Sequence, residues 1–226
     1  MSVRSLVLAA LLPGCVPLPP AMMPLQGPSA DPTGSGTARL YGTLPVVPGQ
    51  PASLYGAGGL RLSSQFTPLF SAGVEGTYVN GLYGGNQQYL YEERAHGRFS
   101  MLDDHLALTI GLGAQTEGAW NLKTTGTSIT TDIAVSFGWK LGPIEPYAAV
   151  GTSLGFGVWD SPPPPEGYFF AGAGLAIRPA SGWRLGAELD SFLFSYQLSK
   201  NSGIGSLAPV VVPVVSAAYV FGDGAD

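Results

Sequence analysis

Apolar and polar side chains alternate strictly along residues Ser128–Leu141. The apolar or methyl-bearing face comprises Ile129, Thr131, Ile133, Val135, Phe137, Trp139 and Leu141. The opposite face is small, polar or charged and includes Asp132 and Lys140. A period of two is typical of a β-strand with unlike faces. The segment is longer than the roughly 5–6 residues of most soluble strands, and it reaches the roughly 9–11 residues with which a tilted strand crosses a bilayer.

Segments with the same alternation recur along the chain between turn-forming residues. The predicted strands are Ala38–Leu44, Ser53–Ser63, Leu69–Val79, Gln88–Met101, Leu106–Gln115, Ser128–Leu141, Pro146–Val158, Tyr168–Arg178, Trp183–Gln197 and Pro209–Phe221. Their connections alternate between short turns and longer loops, such as Asn80–Gln87 and Asp160–Gly167. Transmembrane barrels alternate short periplasmic turns with longer extracellular loops and have an even number of strands. The pattern therefore predicts an all-β, closed, antiparallel up-and-down transmembrane barrel over residues 38–221. It has about ten strands, with eight as the alternative.

Composition agrees with a protein whose hydrophobic residues are distributed among strands. Charged residues make up 11% of the 226-residue chain, against roughly 25% in typical soluble domains. No apolar run of about 18 residues follows the N-terminal leader, so we expect no membrane-spanning helix. The net charge of −5 and the lack of a basic stripe exclude nucleic acid as a partner. The single cysteine excludes an intrachain disulfide framework.

The N-terminus has the features of an export leader. Met1–Cys15 combines an early arginine with a short apolar run, which is typical of a secretory signal. Its last four residues, Leu12–Cys15, resemble the lipobox of bacterial lipoproteins, and this resemblance implies lipidation at Cys15. An ordinary export signal with an incidental cysteine is the alternative. The Pro/Gly-rich segment Val16–Thr37 is predicted to be a flexible tether, and residues 222–226 a short polar tail.

Charged side chains lie opposite the apolar faces of the predicted strands. The set is Arg61, Glu75, Glu92, Arg94, Arg98, Asp132, Lys140, Arg184, Glu188 and Asp190. Inside a narrow barrel such charges have to pair, because an isolated buried ion costs several kcal/mol. A ten-strand barrel is close to the size that side chains can fill. We therefore expect a lumen charge network that plugs the barrel.

The sequence offers little support for catalysis. Asp103–His105 is superficially similar to the acidic and histidine couples of omptin proteases, but it occupies a predicted short turn rather than an extracellular edge. A lipid deacylase of this architecture would require a serine nucleophile near a histidine, and the segments His96-Gly97-Arg98 and His105-Leu106-Ala107 supply none. The chain is predicted not to be an enzyme and to need no cofactor and no metal.

The last strand ends in aromatic residues. Val215, Ala217, Tyr219 and Phe221 alternate up to the strand end, and this pattern resembles small OmpA-like and porin-like outer-membrane β-barrels. The resemblance implies that Tyr219 and Phe221 act as an insertion signal read by the barrel-assembly machinery. It also implies residence in the outer membrane of a Gram-negative bacterium, in contact with its lipid and lipopolysaccharide, as a monomer.

Three functions are compatible with the sequence. The preferred one is a structural or surface-interaction barrel whose long loops, including Asp160–Gly167, form the contact surface. The second is a narrow channel or small-solute transporter. The third is a soluble, periplasmic, lipocalin-like barrel that binds a ligand. It would be apolar within and charged outside, the reverse of the face assignment made here.

Overall fold

A computed structural model describes residues 27–43, 55–83, 86–119, 125–158, 166–179, 182–197, 204–205 and 210–222. These residues form one antiparallel sheet. Its strands are β1 Gly36–Thr43, β2 Tyr55–Thr67, β3 Phe70–Tyr83, β4 Asn86–Met101, β5 Leu106–Ala119, β6 Thr125–Gly138, β7 Ile144–Gly157, β8 Glu166–Ile177, β9 Trp183–Gln197, β10 Ile204–Gly205 and β11 Val210–Phe221. Apart from β1 and the two-residue β10, the strands have 12 to 16 residues, enough to cross a bilayer.

The sheet closes on itself. Each strand from β1 to β9 pairs with the next one along the chain. The ring is completed by β11, which pairs with β9 on one side and with β1 on the other, from Gly36↔Phe221 to Thr43↔Val214. The short β10 pairs with the end of β9. Strands β1–β9 and β11 thus form a closed ten-stranded barrel, which confirms the predicted fold class and strand number and leaves no free sheet edge.

Side chains alternate between the two surfaces of the barrel as the sequence pattern predicts. Along β6, Ser128, Thr130 and Asp132 are buried, whereas Ile133 and Val135 are exposed on the outside. Along β4 the buried positions are polar or charged at Glu92, Arg94, His96, Arg98 and Ser100. The exterior is therefore apolar and the interior contains the ions. This is the reverse of a soluble lipocalin-like barrel, so that alternative is wrong.

Strand β11 is apolar on both of its surfaces. Val212, Val214, Ala218 and Val220 are buried inside, and Val215, Tyr219 and Phe221 are exposed outside. The register of β11 with β9 runs through Pro213 without a shift. Proline lacks a backbone donor, which suggests a bulge at Pro213. The pairing of β11 with β9 contains no bulge at this residue.

One end of the barrel contains only short connections. They are residues 68–69, 102–105, 139–143 and 178–182, and the start of β1 and the end of β11 lie at the same end. We call it the short-turn end, and in outer-membrane barrels this end faces the periplasm. Outward aromatic rings pack here in pairs, with ring centroids 4.9 Å apart for Phe70 and Phe99 and 5.2 Å apart for Trp183 and Tyr219. Such rings are typical of a membrane–water interface.

Most strand ends differ from the prediction by one to four residues, and two differences matter most. The loop expected at Asn80–Gln87 is largely strand, because β3 and β4 continue to pair as far as Tyr83↔Asn86. The predicted strand Ser128–Leu141 begins earlier, at Thr125, and ends at Gly138. Beyond Gly138 the backbone leaves the ladder and forms the bridge Leu141↔Ile144.

Candidate functional site

A network of ions and hydroxyl groups lies inside the barrel on β1, β2 and β3. Arg61 Nε forms an ion pair with Glu75 Oε2, and the hydroxyl of Tyr41 donates to Glu75 Oε1 at 2.7 Å. Thr77 Oγ1 donates to the same oxygen at 3.3 Å and also contacts the hydroxyl of Tyr41. Both oxygens of the buried Glu75 carboxylate are therefore bound.

The network continues across β4 and β6 around one arginine. Arg94 Nη2 donates to Glu92 Oε1 at 2.7 Å, and Arg94 Nε lies 3.2 Å from Asp132 Oδ1. Thr130 Oγ1 donates to Glu92 Oε1 at 2.7 Å. Charges of opposite sign in contact offset part of the cost of removing each from water. We call Tyr41, Arg61, Glu75, Thr77, Glu92, Arg94, Thr130 and Asp132 together the central network.

Two glycines of β5 provide the space that the central network occupies. A Cβ on Gly111 would lie 2.5 Å from Asp132 Oδ2. A Cβ on Gly113 would lie 2.7 Å from Thr130 Oγ1 and 3.1 Å from Glu92 Oε1. Any side chain at either position would displace the carboxylates. These glycines are therefore packing positions.

A second group consists of two carboxylates on β9. Glu188 and Asp190 are both buried, and the hydroxyl of Tyr147 donates to Glu188 Oε2 at 2.7 Å. Asp190 is fully buried, and neither of its oxygens has a hydrogen-bond partner among the described residues. The neighbours in register with Asp190 are Gly172 and Val212, which offer no positive charge. Glu188 and Asp190 thus place two acids side by side in the lumen.

The third group lies at the short-turn end, where residues 27–35 cross the barrel mouth. We call Gly27–Ser35 the strap. Arg98 Nη2 donates to the carbonyl oxygens of Gly27 and Ser29 at 2.6 and 3.1 Å. Asp31 forms an ion pair with Arg184 and accepts a hydrogen bond of 2.6 Å from Thr37 Oγ1.

The strap is also hydrogen-bonded to residues of β4 and β7. Glu145 Oε1 accepts a hydrogen bond from the Ser29 amide at 3.1 Å, and Ser100 Oγ donates to the carbonyl oxygen of Pro28 at 3.3 Å. The strap therefore contacts β1, β4, β7 and β9, and Pro28 is fully buried. A flexible tether over Val16–Thr37 is the wrong description for residues 27–37. The strap packs in the mouth because its carbonyls satisfy buried donors, and Gly36 and Thr37 belong to β1.

The structure brings most of the predicted charged residues into these three groups. Arg61, Glu75, Glu92, Arg94, Arg98, Asp132, Glu188 and Asp190 are buried in the lumen, and Arg184 is partly buried in the mouth. Lys140 is the exception. It follows the end of β6, its side chain is 42% exposed, and its Nζ lies 2.8 Å from Asp104 Oδ2 in the turn before β5. The prediction that Lys140 lies in the lumen is therefore wrong, because the alternation stops at Gly138.

Other predicted residues lie on the outer surface or outside the described residues. Tyr219 and Phe221 are half-exposed on the outer surface at the end of β11, and their role as an insertion signal stays a prediction. Cys15 and the loop Asp160–Gly167, except its last two residues, lie outside the described residues. Lipidation of Cys15 stays a prediction as well.

Sequence reasoning missed several lumen residues. Tyr41 and Thr37 occupy alternate positions of β1 with Arg39, so the period of two could have placed them inside. Glu145 was missed because the strand was expected to begin one residue later, at Pro146. Asp31 lies outside any strand, so no periodic signal could have found it.

Among the described residues, the side chains of Asp104 and His105, in the turn before β5, are not paired with each other. His105 Nδ1 lies 3.0 Å from the carbonyl oxygen of Gly138, and Asp104 is engaged by Lys140. No group of three or more histidine, cysteine or acidic side chains within the described ranges could hold a metal ion. Within these same ranges, no helix has the length and apolar character needed to cross a membrane.

Comparison with known proteins gives a fold and no family. No protein-family model matches the chain, and no curated protein matches its sequence. The COG4313 outer membrane channel from Pseudomonas putida F1 is similar with a TM-score of 0.51 and 10% identity, over 88% of this chain and 100% of that one. The translocator domain of the autotransporter NalP from Neisseria meningitidis is similar with a TM-score of 0.48 and 11% identity, over 86% and 91%. For OmpTΔL8 of Vibrio cholerae the TM-score is 0.36 at 12% identity, over 74% of this chain, which spans 54% of that protein.

The inside-out distribution of polarity and the likeness to the Pseudomonas putida barrel define the class of protein. It is a transmembrane β-barrel of the kind found in the outer membrane of Gram-negative bacteria. The apolar exterior suits lipid, the ring of strands leaves no edge unpaired, and the aromatic pairs at the short-turn end suit a membrane interface. This confirms the outer-membrane barrel expected from the sequence.

Proposed function

We propose that the protein is a closed outer-membrane barrel with a structural or surface-interaction role and no enzymatic activity. The observation that supports this most strongly is the filling of the lumen. The central network bridges β1, β2, β3, β4 and β6, and the strap crosses the mouth. A barrel of this size has little room left for a solute once such side chains are present.

The contacts that the proposal assigns to the protein are made outside the lumen. The apolar exterior binds the lipid and lipopolysaccharide of the outer membrane, and the loops opposite the short-turn end form the contact surface. The terminal aromatics Tyr219 and Phe221 are the signal for the barrel-assembly machinery. The exterior needs no second subunit to cover it in a bilayer, so we expect a monomer.

Electrical recording tests the closed lumen. Protein purified from outer membranes in detergent is added to a planar bilayer, with a boiled aliquot as the control. A plugged barrel produces no stable conductance steps, although the native sample migrates faster than the boiled one in a gel. Reproducible steps from the heat-modifiable form would contradict the closed barrel and support the second candidate.

The second candidate is a narrow channel or small-solute transporter. One observation favours it: the strap closes the mouth mainly through contacts with wall side chains, and its backbone hydrogen bonds to the wall are at Gly34 and Ser35, with Gln65 of β2. A segment held mainly by side-chain contacts can leave the mouth more readily than a segment held by the backbone hydrogen bonds of a β-sheet. The structural neighbour from Pseudomonas putida is described as a channel.

Labelling of intact cells tests the surface role. An epitope inserted between Pro163 and Pro164 should bind antibody on whole cells, because that loop is opposite the short-turn end. The matched control carries the same epitope in the short turn after Asp103 and should bind antibody only after the outer membrane is opened. Equal labelling of both on intact cells would refute the assigned orientation.

A further inference from the structure

The barrel mouth at the short-turn end is rich in arginine. Among the described residues, Arg98 interacts electrostatically with Arg39 and Arg184 and with the carboxylates of Asp31 and Glu145. Arg184 interacts with the same two carboxylates and with Arg178. Arg98, Arg178 and Arg184 thus lie near two acids, Asp31 and Glu145, and Asp31 belongs to the strap.

The wall itself neutralises only part of this charge. Glu145 lies 3.2 Å from Arg178, which uses one of its carboxylate oxygens, while the other accepts the amide of Ser29. Arg98 is buried, and its Nη2 donates to the strap carbonyls of Gly27 and Ser29. The ion pair of Arg184 is likewise with the strap, at Asp31. The strap therefore provides the acceptors for two arginines of the mouth.

Guanidinium groups are donors that match oxyanions. Arginine presents several N–H groups in a planar fork, and hydrogen bonds between ionised partners are the strong ones. A carboxylate and two peptide carbonyls now occupy the place where such donors converge. This arrangement has the chemistry of an anion site that is already filled by a segment of its own chain.

We propose that the mouth is a binding site for a small oxyanion, a carboxylate or phosphate group, and that the strap is its built-in occupant. Arg98 and Arg184 are the binding residues, and Asp31 with the carbonyls of Gly27 and Ser29 imitates the ligand. Displacement of the strap exposes the site to the periplasm. This inference goes beyond the proposed function and stands whether or not the barrel conducts.

Binding of inorganic phosphate tests the inference. A variant that lacks residues 16–32 retains the leader, Cys15 and every strand, and loses Asp31 together with the strap carbonyls. A second, full-length variant, Ser29→Pro with Asp31→Ala, removes the donor to Glu145 and the partner of Arg184. Each is purified in detergent, checked for heat-modifiable migration, and titrated with phosphate by calorimetry beside the wild type.

We expect phosphate to bind at least about tenfold more tightly to the strap variants than to the wild type, a difference of about 1.4 kcal/mol. Adding Arg98→Gln should abolish the gain. Adding Lys140→Gln at the same end of the barrel should preserve it, because Lys140 pairs outside the mouth with Asp104. If the deletion variant fails to fold, the full-length variant decides.

Two results would overturn the site. One is a folded strap variant that binds phosphate no better than the wild type. The other is a gain in affinity that survives Arg98→Gln, which would mean that the anion binds elsewhere. Either result leaves the closed barrel untouched, because that proposal is tested by conductance of the wild type.

Discussion

Replacement of Arg94 by alanine should be among the most damaging single changes in the barrel. Its guanidinium group is buried and lies between two buried carboxylates, 2.7 Å from Glu92 Oε1 and 3.2 Å from Asp132 Oδ1. Without Arg94, both carboxylates remain in the lumen without their cation. Removal of one partner from a buried ion pair costs about 3–5 kcal/mol. We expect Arg94→Ala to lower the free energy of unfolding by about that amount.

Urea unfolding of the purified barrel in detergent micelles measures the effect, with the faster-migrating gel band as the probe of folded protein. The matched control is Lys140→Ala, which removes an ion pair of comparable length, 2.8 Å, at a side chain that is 42% exposed. Exposed pairs contribute about 0–1 kcal/mol. The control should therefore unfold at nearly the wild-type urea concentration.

A rescue variant separates loss of charge balance from loss of packing. Glu92→Gln with Asp132→Asn, added to Arg94→Ala, removes the uncompensated charges while preserving side-chain size, so it should regain a clear part of the lost stability. The reasoning is refuted if Arg94→Ala costs no more than Lys140→Ala. It is also refuted if the rescue variant is less stable than Arg94→Ala alone.

Three further changes have expected outcomes. Asp190→Asn should raise the free energy of unfolding by about 1–3 kcal/mol, because it removes the cost of burying an acid that has no hydrogen-bond partner among the described residues and lies beside Glu188. A fall in urea resistance would contradict the absence of a partner for Asp190. Gly73→Ala should lower the free energy of unfolding by about 1–3 kcal/mol, since its Cβ would collide with the carbonyl oxygen of Leu62. Gly56→Ala has open space for its Cβ and should be nearly neutral. The temperature at which the faster-migrating gel band is lost compares the two variants. Phe221→Ala should slow assembly of the barrel into the membrane without unfolding the assembled barrel. Pulse-chase labelling measures how fast the heat-modifiable form appears, and an unchanged rate would contradict the insertion signal.

The period-two pattern was sufficient to predict the fold because a membrane barrel imposes it on every strand. Strand β9 was predicted with its observed bounds, Trp183–Gln197, since its apolar and polar positions alternate from Trp183 to Asp190. The pattern does not predict the strand ends where hydrogen bonding between neighbouring strands continues beyond it. Residues Asn80–Gln87 contain glycine and asparagine, which are typical of turns. Hydrogen bonding between β3 and β4 nevertheless extends β3 to Tyr83 and begins β4 at Asn86.

The lumen could be predicted in part for the same reason. Charged residues at inward positions of a strand lie inside, as Arg94 and Asp132 do. Lys140 was misplaced because it lies beyond the strand end, where alternation has no meaning. The strap could not be found at all. Its contacts use backbone carbonyls and amides, and its proline and glycine content is equally typical of a free linker.

The direction in which the side chains of β6 point is the central claim, and spin-label accessibility measures it most directly. Single cysteines replace Ile129 to Phe137 in turn, in a Cys15→Ser background, and the reconstituted barrel is probed with lipid-soluble oxygen and a water-soluble nickel complex. Oxygen collisions should peak at the odd positions, including Ile133 and Val135, and fall at Asp132 and Ala134. High oxygen accessibility at the even positions, or water accessibility at Ile133 and Val135, would show that the apolar face is not turned toward lipid.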